Sequence, residues 1–167
     1  DLLQVHNLWD WQAHLDTLFA MKDAGELRYV GVTTSHGRRH GDLFEIMRDH
    51  PIDFVQLTLN AVDRQAESRL LPLAREKGIA VVVNRPFRRH GLIHHTDGAP
   101  LPGFAAEVGA TSWAQLLLKF VLGHPAVTTV IPATTSTEHV IENKQAAMGR
   151  MPDDALRDRI SQAVRAL

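Results

Sequence analysis

The chain alternates five short apolar segments with longer segments of helical periodicity, and this alternation restricts the fold more than any other feature. The apolar segments lie at residues 2–5, 29–34, 54–57, 79–83 and 127–131. The first four begin about 25 residues apart, a spacing that suits strand–turn–helix units with short loops. Continuous apolar strands that alternate with helices form a parallel sheet covered by helices. We therefore predict an α/β fold with five parallel strands.

Helical spacing of apolar residues locates the predicted helices. One follows Asp10, a short one lies near 104–108, and the others cover residues 42–48, 65–77, 112–122, 137–148 and 153–166. Asp10 is the predicted N-cap of the first helix, and Gly25 and Gly78 are predicted C-terminal stops. Ser112 and Gln115 have the spacing of a capping box. A long loop is predicted around Gly91.

Every predicted strand has polar residues at its carboxyl end, and this feature helps to choose between two kinds of parallel sheet. These residues are His6-Asn7, Thr33-Thr34, Gln56, Asn84-Arg85 and Thr134-Thr135. An open nucleotide-binding sheet favours a Gly-x-Gly-x-x-Gly turn, and this sequence contains none. Polar groups at all carboxyl ends favour the mouth of an eight-stranded barrel, but a complete one needs about 250 residues. Residues 1–167 are therefore expected to form a single domain, either an open five-stranded sheet or part of a barrel.

Composition excludes several classes of function. The formal net charge is -1, so there is no basic footprint for nucleic acid, and no apolar run is long enough to span a membrane. Ten histidines raise the question of a metal, but His36/His40 and His94-His95 have no matching carboxylates, and we expect no catalytic metal. The pairs Arg38-Arg39 and Arg88-Arg89 are typical of a solvated loop or of contact with an anionic ligand.

Several fragments, in this order and spacing, resemble the aldo/keto reductases. They are Asp-Leu-Leu-Gln-Val-His-Asn at 1–7, Gly-Glu-Leu-Arg-Tyr-Val-Gly-Val at 25–32, Asp-Phe-Val-Gln at 53–56 and Ile-Pro-Ala-Thr at 131–134 followed by 139–143. The resemblance implies a partial (β/α)8 TIM barrel, with strands 4–8 and their helices and without the first three units. Residues 84–87 and 112–116 look like a bacterial branch, some of whose members carry export signals. We expect a cytoplasmic protein, or a periplasmic one if an export signal precedes Asp1.

The resemblance implies NAD(P)H-dependent reduction of a small-molecule aldehyde or ketone by the parent protein. His6 matches the histidine that orients the carbonyl, because an imidazole can donate a hydrogen bond to a developing alkoxide. The family's catalytic tyrosine, lysine and aspartate lie on the first three units, and the only tyrosine here, Tyr29, is in the wrong place. We expect this chain to be inactive alone. The alternative is a non-catalytic cofactor-binding or interaction module, and unpaired strand edges favour self-association.

The nicotinamide end of the cofactor is expected to contact residues on three strands. Thr33, Thr34 and Gln56 match residues that hold the carboxamide. Asn84 falls where many members place a stacking aromatic ring, which an asparagine cannot replace. Arg85 and Phe87 are then candidates for binding a phosphate or covering the nicotinamide ring.

The adenosine end is expected to contact the segment after the fifth strand. Ala133 and Thr134 match residues that meet the adenosine phosphate, and Glu142 and Asn143 match residues that hold the adenine. His139 falls where many members place an arginine for the 2′-phosphate of NADP. Since histidine is mostly neutral at pH 7 and lacks the guanidinium fork, we expect NADPH but leave NADH open.

Overall fold

A computed structural model describes all 167 residues. Its five strands form one parallel sheet, in which their order follows the order along the chain. The strands are β1 (Leu2–Val5), β2 (Tyr29–Thr33), β3 (Phe54–Thr58), β4 (Ala80–Asn84) and β5 (Thr129–Val130). The helices are α1 (Trp11–Asp23), α2 (His40–Asp49), α3 (Ala66–Lys77), α4 (Gly91–His95), α5 (Trp113–Leu122), α6 (Thr137–Ala146) and α7 (Asp154–Arg165). Short 3-10 helices cover His6–Leu8 and Gly103–Val108.

Alternating strand positions separate the two faces of the sheet. In β3, Val55 and Leu57 are fully buried, whereas Phe54 and Gln56 are partly exposed. The strands β3 and β4 pair in register from Phe54 opposite Ala80 to Thr58 opposite Asn84. The buried valines and leucines form one core with α1, α2, α3, α5 and α7. Helices therefore cover one face, and the other face stays open.

The barrel is not closed. β1 and β5 lie at the two edges of the sheet, and neither has a second neighbour. Large apolar side chains are exposed in or next to both edge strands: Leu3 in β1, Trp9 in the turn after it, and Ile131 directly after β5. Val140 and Ile141 on α6 are also exposed. The predicted partial barrel with five parallel strands is confirmed. None of the helices is long and apolar enough to cross a membrane.

Most predicted elements are present with small shifts at their ends, and the short helix predicted near 104–108 is a 3-10 helix. Three local predictions were wrong. Residues 91–95 form a helix inside the predicted loop, and β5 has only two residues. Asp10 flanks α1, yet its side chain makes no capping bond. Ser112 does cap α5 by accepting a hydrogen bond from the backbone N–H of Gln115 at 3.2 Å.

Candidate functional site

His6 lies just beyond β1, at the carboxyl edge of the sheet, and its imidazole is exposed. The side-chain amide of Asn7 donates to Nε2 of His6 at 2.9 Å. Nδ1 of His6 lies 3.5 Å from Oγ1 of Thr33, and that hydroxyl accepts the backbone N–H of Asn7 at 2.9 Å. The hydroxyl of Thr33 therefore fixes the turn that carries His6. This bond gives the buried Thr33 side chain a hydrogen-bond partner.

Asn84 ties three strand ends together. Its side-chain amide nitrogen donates to the backbone carbonyl of Thr34 at 2.7 Å, and its oxygen accepts from the hydroxyl of Thr58 at 2.6 Å. The same hydroxyl accepts the backbone N–H of His36 at 3.1 Å. Asn84 is 7% exposed, so these bonds are sheltered from water. Its amide thus braces the carboxyl edge of the sheet.

The other two residues predicted at the nicotinamide end have different surroundings. The hydroxyl oxygen of Thr34 is buried without a hydrogen-bond partner. Gln56 pairs in register with Thr33 and is partly exposed on the open face of the sheet. A buried hydroxyl without a partner is costly, so Thr34 differs in this respect from Thr33 and Asn84, whose polar groups are hydrogen-bonded.

A pocket of about 840 Å³ lies between α4, α5, α6 and the segment after β5. It brings together six residues that the sequence predicted for the cofactor: Phe87, Ala133, Thr134, His139, Glu142 and Asn143. The other predicted residues (His6, Thr33, Thr34, Gln56, Asn84 and Arg85) do not line it. The predicted set therefore divides into a group in this pocket and a group along the strand ends.

Hydrogen bonds hold the pocket walls in place. The hydroxyl of Ser112 donates to Oε1 of Glu142, which links the start of α5 to the middle of α6. Ser136 caps α6 by accepting the backbone N–H of His139 at 3.4 Å, and Nδ1 of His139 lies 3.3 Å from the hydroxyl oxygen of Thr134. The carboxylate of Glu142 is thus held toward the pocket while α6 presents its amino end there.

Comparison with known proteins decides the family. The sequence model of the Aldo/keto reductase family matches residues 1–158. The chain belongs to the aldo/keto reductase family. An uncharacterized oxidoreductase of Schizosaccharomyces pombe, C215.11c, is 29% identical over 150 residues, which cover 88% of this chain and 47% of that protein.

Solved aldo-keto reductases share the fold. AKR11C1 from Bacillus halodurans is 22% identical in its apo form and 24% in its holo form, with a TM-score of 0.74 for both. The thermostable aldo-keto reductase Tm1743, solved with the inhibitor epalrestat, is 24% identical with a TM-score of 0.70. Each likeness covers 98% of this chain, and the solved chains are covered to 61%, 60% and 59%. The chain spans about half the length of the curated relative that it matches.

The residues present fit the NAD(P)H that aldo/keto reductases use. The pocket offers a carboxylate, an amide and two hydroxyls from Glu142, Asn143, Thr134 and Ser136, which are suitable partners for the hydroxyls and ring nitrogens of adenosine. At the strand ends, Thr34 offers a buried hydroxyl oxygen that has no protein partner.

Tyr29 lies far from this site along its strand. It is the first residue of β2, at the amino edge of the sheet, whereas His6 and Thr33 are at the carboxyl edge. Its ring packs edge-on against Phe54 with ring centroids 5.5 Å apart. Tyr29 is therefore not positioned to donate a proton beside His6.

Sequence reasoning missed three residues that shape the site. Thr58 anchors Asn84, Ser112 orients Glu142, and Trp113 lines the pocket while its indole N–H donates to the carbonyl of Ala99 at 3.1 Å. Thr58 directly follows a predicted strand, so the rule that polar residues at strand ends form the site could have identified it. Ser112 and Trp113 belong to another helix, and nothing in the local sequence relates them to α6. No group of three His, Asp or Glu side chains in the chain could hold a metal ion.

Proposed function

We propose that the protein reduces aldehydes or ketones with NAD(P)H, and that this chain supplies the carbonyl-orienting His6 and most of the cofactor contacts. The observation that carries the proposal is the pocket that gathers Phe87, Ala133, Thr134, His139, Glu142 and Asn143. Family membership supports the reaction class. The extension to the whole enzyme is part of the proposal, since the chain covers 47% of its curated relative.

His6 orients the substrate carbonyl in this proposal. In the arrangement observed, Asn7 donates to Nε2, so the proton of a neutral imidazole is on Nδ1, facing Thr33. Donation from Nε2 to a carbonyl oxygen requires the Asn7 amide to turn away and the tautomer to change. Asn7 has a left-handed backbone (φ 54°), outside regular helix geometry, in a turn that holds His6 at the sheet edge.

The cofactor, when bound, supplies a hydride to the carbonyl carbon. Glu142, Asn143 and Thr134 hold its adenosine, and the buried hydroxyl of Thr34 takes part in holding the carboxamide. Gln56 and Thr33 are the other proposed carboxamide contacts. Arg85 is a proposed phosphate contact. The Asn84 side chain is hydrogen-bonded to Thr34 and Thr58, so it can bond the cofactor only if one of these hydrogen bonds breaks.

Cofactor binding by the chain itself is the first test. We expect NADPH to bind in a fluorescence titration, and Glu142→Ala to weaken that binding about tenfold, the loss of one charged hydrogen bond. Glu76→Ala, an exposed glutamate on α3, is the matched control and should leave the affinity unchanged. NADPH and NADH titrated side by side test the preference, since His139 lacks a guanidinium fork. No binding of either cofactor would contradict the proposal.

Turnover is the second test, and it separates an enzyme from the alternative of a cofactor-binding module. We expect this chain alone to bind NADPH without oxidising it in the presence of nitrobenzaldehyde, because Tyr29 is at the other edge of the sheet from His6. Clear turnover by this chain would overturn that expectation. In a full-length barrel that contains this chain, His6→Ala should lower kcat about a hundredfold, the typical effect of removing a donor to a developing oxyanion. An unchanged kcat would exclude the proposed role of His6.

Self-association through the open sheet is a further part of the proposal. It is supported by the two sheet edges and by the exposed Leu3, Trp9 and Ile131 beside them. Sedimentation velocity should show a dimer or larger species that dissociates on dilution, and a monomer at all concentrations would exclude it. A bacterial source and a cytoplasmic location, or a periplasmic one behind an export signal, stay predictions from the sequence resemblance.

A further inference from the structure

Helix α6 forms one wall of the pocket between α4 and α5 but takes no part in the apolar core. It supplies three residues that line this pocket: His139, Glu142 and Asn143. Only Ala146 of its ten residues is buried, and no residue of α6 belongs to the core. Its apolar side chains Val140 and Ile141 are each 55% exposed. Because a helix of this length is stable in a protein mainly through an apolar face that packs, other contacts must keep α6 in place.

Hydrogen bonds from α5 to α6 are such contacts. Near the pocket, the hydroxyl of Ser112 donates to the carboxylate of Glu142. One turn further along α5, the side-chain amide of Gln115 donates to Oε1 of Gln145 at 3.0 Å. Gln115 is 5% exposed, and its own oxygen accepts the backbone N–H of Thr111 at 2.9 Å, so its amide is fixed from both ends. Both links run from a donor on α5 to an acceptor on α6.

Lys119 makes a third link, at the carboxyl end of α6. It lies four residues after Gln115, on the same side of α5. Its Nζ donates to the backbone carbonyls of Met148 at 2.6 Å and Arg150 at 3.1 Å, in the segment that follows α6. An ammonium group suits this place, because the carbonyls at the carboxyl end of a helix carry partial negative charge.

The ammonium of Lys119 is held by these carbonyls and not by a carboxylate. Lys119 is 1% exposed, and burial lowers its pKa. A buried charge is costly unless it is hydrogen-bonded, and a hydrogen bond with a charged donor is about twice as strong as a neutral one. Lys119 is therefore the strongest of the three links, although its side chain does not line the pocket.

The segment after α6 is fastened to α5 a second time. Gly123 directly follows α5 and lies so close to Pro152 that a Cβ on the glycine would be 2.6 Å from the proline carbonyl oxygen. The carboxyl end of α6 is thus tied to α5 through Lys119 and through this backbone contact. The pocket end of α6 has only the more exposed links at Glu142 and Gln145. Its position there depends on how firmly the other end is anchored.

We infer that Lys119 is a positioning residue for cofactor binding, which anchors the carboxyl end of α6 so that Glu142 and Asn143 face the pocket. The inference rests on the proposed function, because it concerns the binding of the same cofactor. Loss of the anchor leaves α6 in its pocket-forming position for only part of the time. The apparent dissociation constant then rises by the reciprocal of that fraction. Lys119 therefore controls NADPH affinity without touching NADPH.

Lys119→Met tests the anchor, because methionine has a similar length and no hydrogen-bond donor. Hydrogen exchange is followed by mass spectrometry, without cofactor, in the native chain and in the variant. We expect peptides that cover residues 137–150 to exchange at least about tenfold faster in Lys119→Met, with little change in the strands. In a fluorescence titration, NADPH affinity should be about tenfold lower, which corresponds to α6 in place for about one-tenth of the time.

Two control variants separate the anchor from charge and from general stability. Lys144→Met makes the same replacement at an exposed lysine of α6 itself, and it should leave exchange and NADPH affinity unchanged. Ile46→Val shortens a fully buried side chain of α2. It should lower the urea midpoint but leave the exchange of α6 and NADPH affinity as in the native chain. A merely structural role of Lys119 would make Lys119→Met behave like Ile46→Val.

Gln145→Met is a second test variant, which decides the question if Lys119→Met does not fold. It breaks an exposed link between the same two helices, and it should speed the exchange of α6 and weaken NADPH binding about threefold, the effect of one neutral hydrogen bond. Unchanged exchange and affinity in Gln145→Met would then contradict the inference.

Three results for Lys119→Met would overturn the inference: native exchange rates in α6, native NADPH affinity despite faster exchange, or an effect equal to that of Ile46→Val. If the native chain binds no NADPH, the proposed function fails, and the cofactor role of Lys119 fails with it. The exchange rates, measured without cofactor, still decide whether Lys119 anchors α6, so the two failures are distinguishable.

Discussion

Replacing Asn84 with alanine should destabilise the fold by about 2–4 kcal/mol. The amide makes two buried hydrogen bonds, with Thr34 at 2.7 Å and Thr58 at 2.6 Å, and Asn84 is 7% exposed. Removing it leaves the carbonyl of Thr34 and the hydroxyl of Thr58 without these partners, and each unsatisfied buried group costs about 1–3 kcal/mol. The hydroxyl of Thr58 can rotate toward another acceptor, which places the total below the sum of the two upper limits.

Asn84→Asp isolates the bond to Thr34. The carboxylate keeps an oxygen to accept from Thr58, but at neutral pH it directs a second oxygen toward the carbonyl of Thr34, and the two oxygens repel. We expect Asn84→Asp to be less stable than Asn84→Ala at pH 7. It should recover part of the loss at pH 4, since a protonated carboxyl can donate to that carbonyl. Thr58→Val removes only the hydrogen bond between Thr58 and Asn84. In a double-mutant cycle, the combined loss of stability should be smaller than the sum of the losses for Thr58→Val and Asn84→Ala.

Urea unfolding followed by circular dichroism measures these changes. With a slope of about 2 kcal/mol per molar urea, a loss of this size moves the midpoint by about 1–2 M. NADPH affinity is measured on the same samples below the transition. A stability change under about 1 kcal/mol together with a large loss of NADPH affinity would refute the bracing role and assign Asn84 to the cofactor.

Three further predictions concern other parts of the molecule. Gly31→Ala should cost about 2–3 kcal/mol in urea unfolding, because a Cβ there would lie 2.6 Å from the carbonyl oxygen of Phe54; Gly41→Ala, with nothing within 4 Å, should not destabilise. Loss of hydration and the charge of Arg85 lower the pKa of His36, so Arg85→Gln should raise that pKa in an NMR titration, and an unchanged pKa would contradict this effect of Arg85. Because folding lowers that pKa, the unfolded chain binds more protons, so stability falls as the pH drops through the ordinary histidine value of about 6.5, and Arg85→Gln should weaken this dependence. Phe87→Leu should weaken NADPH binding about three- to tenfold through loss of the aromatic face, and equal affinity would exclude stacking.

Strand positions could be predicted because buried parallel strands are continuous apolar runs. Val81 and Val83 are fully buried, and the run ends at Asn84 as predicted. The same argument failed at the fifth strand, where only Thr129 and Val130 pair with β4. β5 is an edge strand with one neighbour, and Thr129 is exposed. An apolar run at this position is therefore not evidence of a strand buried between two others.

Helix α4 shows why a short element escapes sequence reasoning. It has five residues, begins at a glycine and contains two histidines, so its intrinsic propensity for helix is low. Packing forms it instead: Leu92 is 3% exposed, and its backbone N–H donates to the carbonyl of Phe87 at 3.0 Å. Because this contact orders the loop after β4, it also determines which side chains face the pocket between α4, α5 and α6.

Side-chain partners were the least predictable part of the site. The sequence placed Thr33, Thr34 and Asn84 at strand ends, and in the structure the Asn84 amide reaches past the end of β3 to the carbonyl of Thr34. It did not indicate that the hydroxyl of Thr33 would be occupied by the turn at Asn7 while that of Thr34 would have no partner. Which hydroxyl bonds the protein depends on distances of a few tenths of an ångström between separate loops, and no local pattern encodes these distances.

The bracing role of Asn84 gives a physical reason for an asparagine at the position where many aldo/keto reductases place a stacking aromatic ring. An aromatic ring could not donate to the carbonyl of Thr34 and accept from Thr58 at the same time. In the proposed cofactor site, the face of the nicotinamide then has no aromatic stacking partner at this strand end. Phe87 is three residues on and partly buried in the wall of the pocket between α4, α5 and α6. It is the aromatic side chain of the same loop that is proposed to contact the cofactor. The brace at Asn84 and cofactor contact at Phe87 are therefore linked. An Asn84 variant should lower stability more than NADPH affinity, and a Phe87 variant should lower NADPH affinity more than stability.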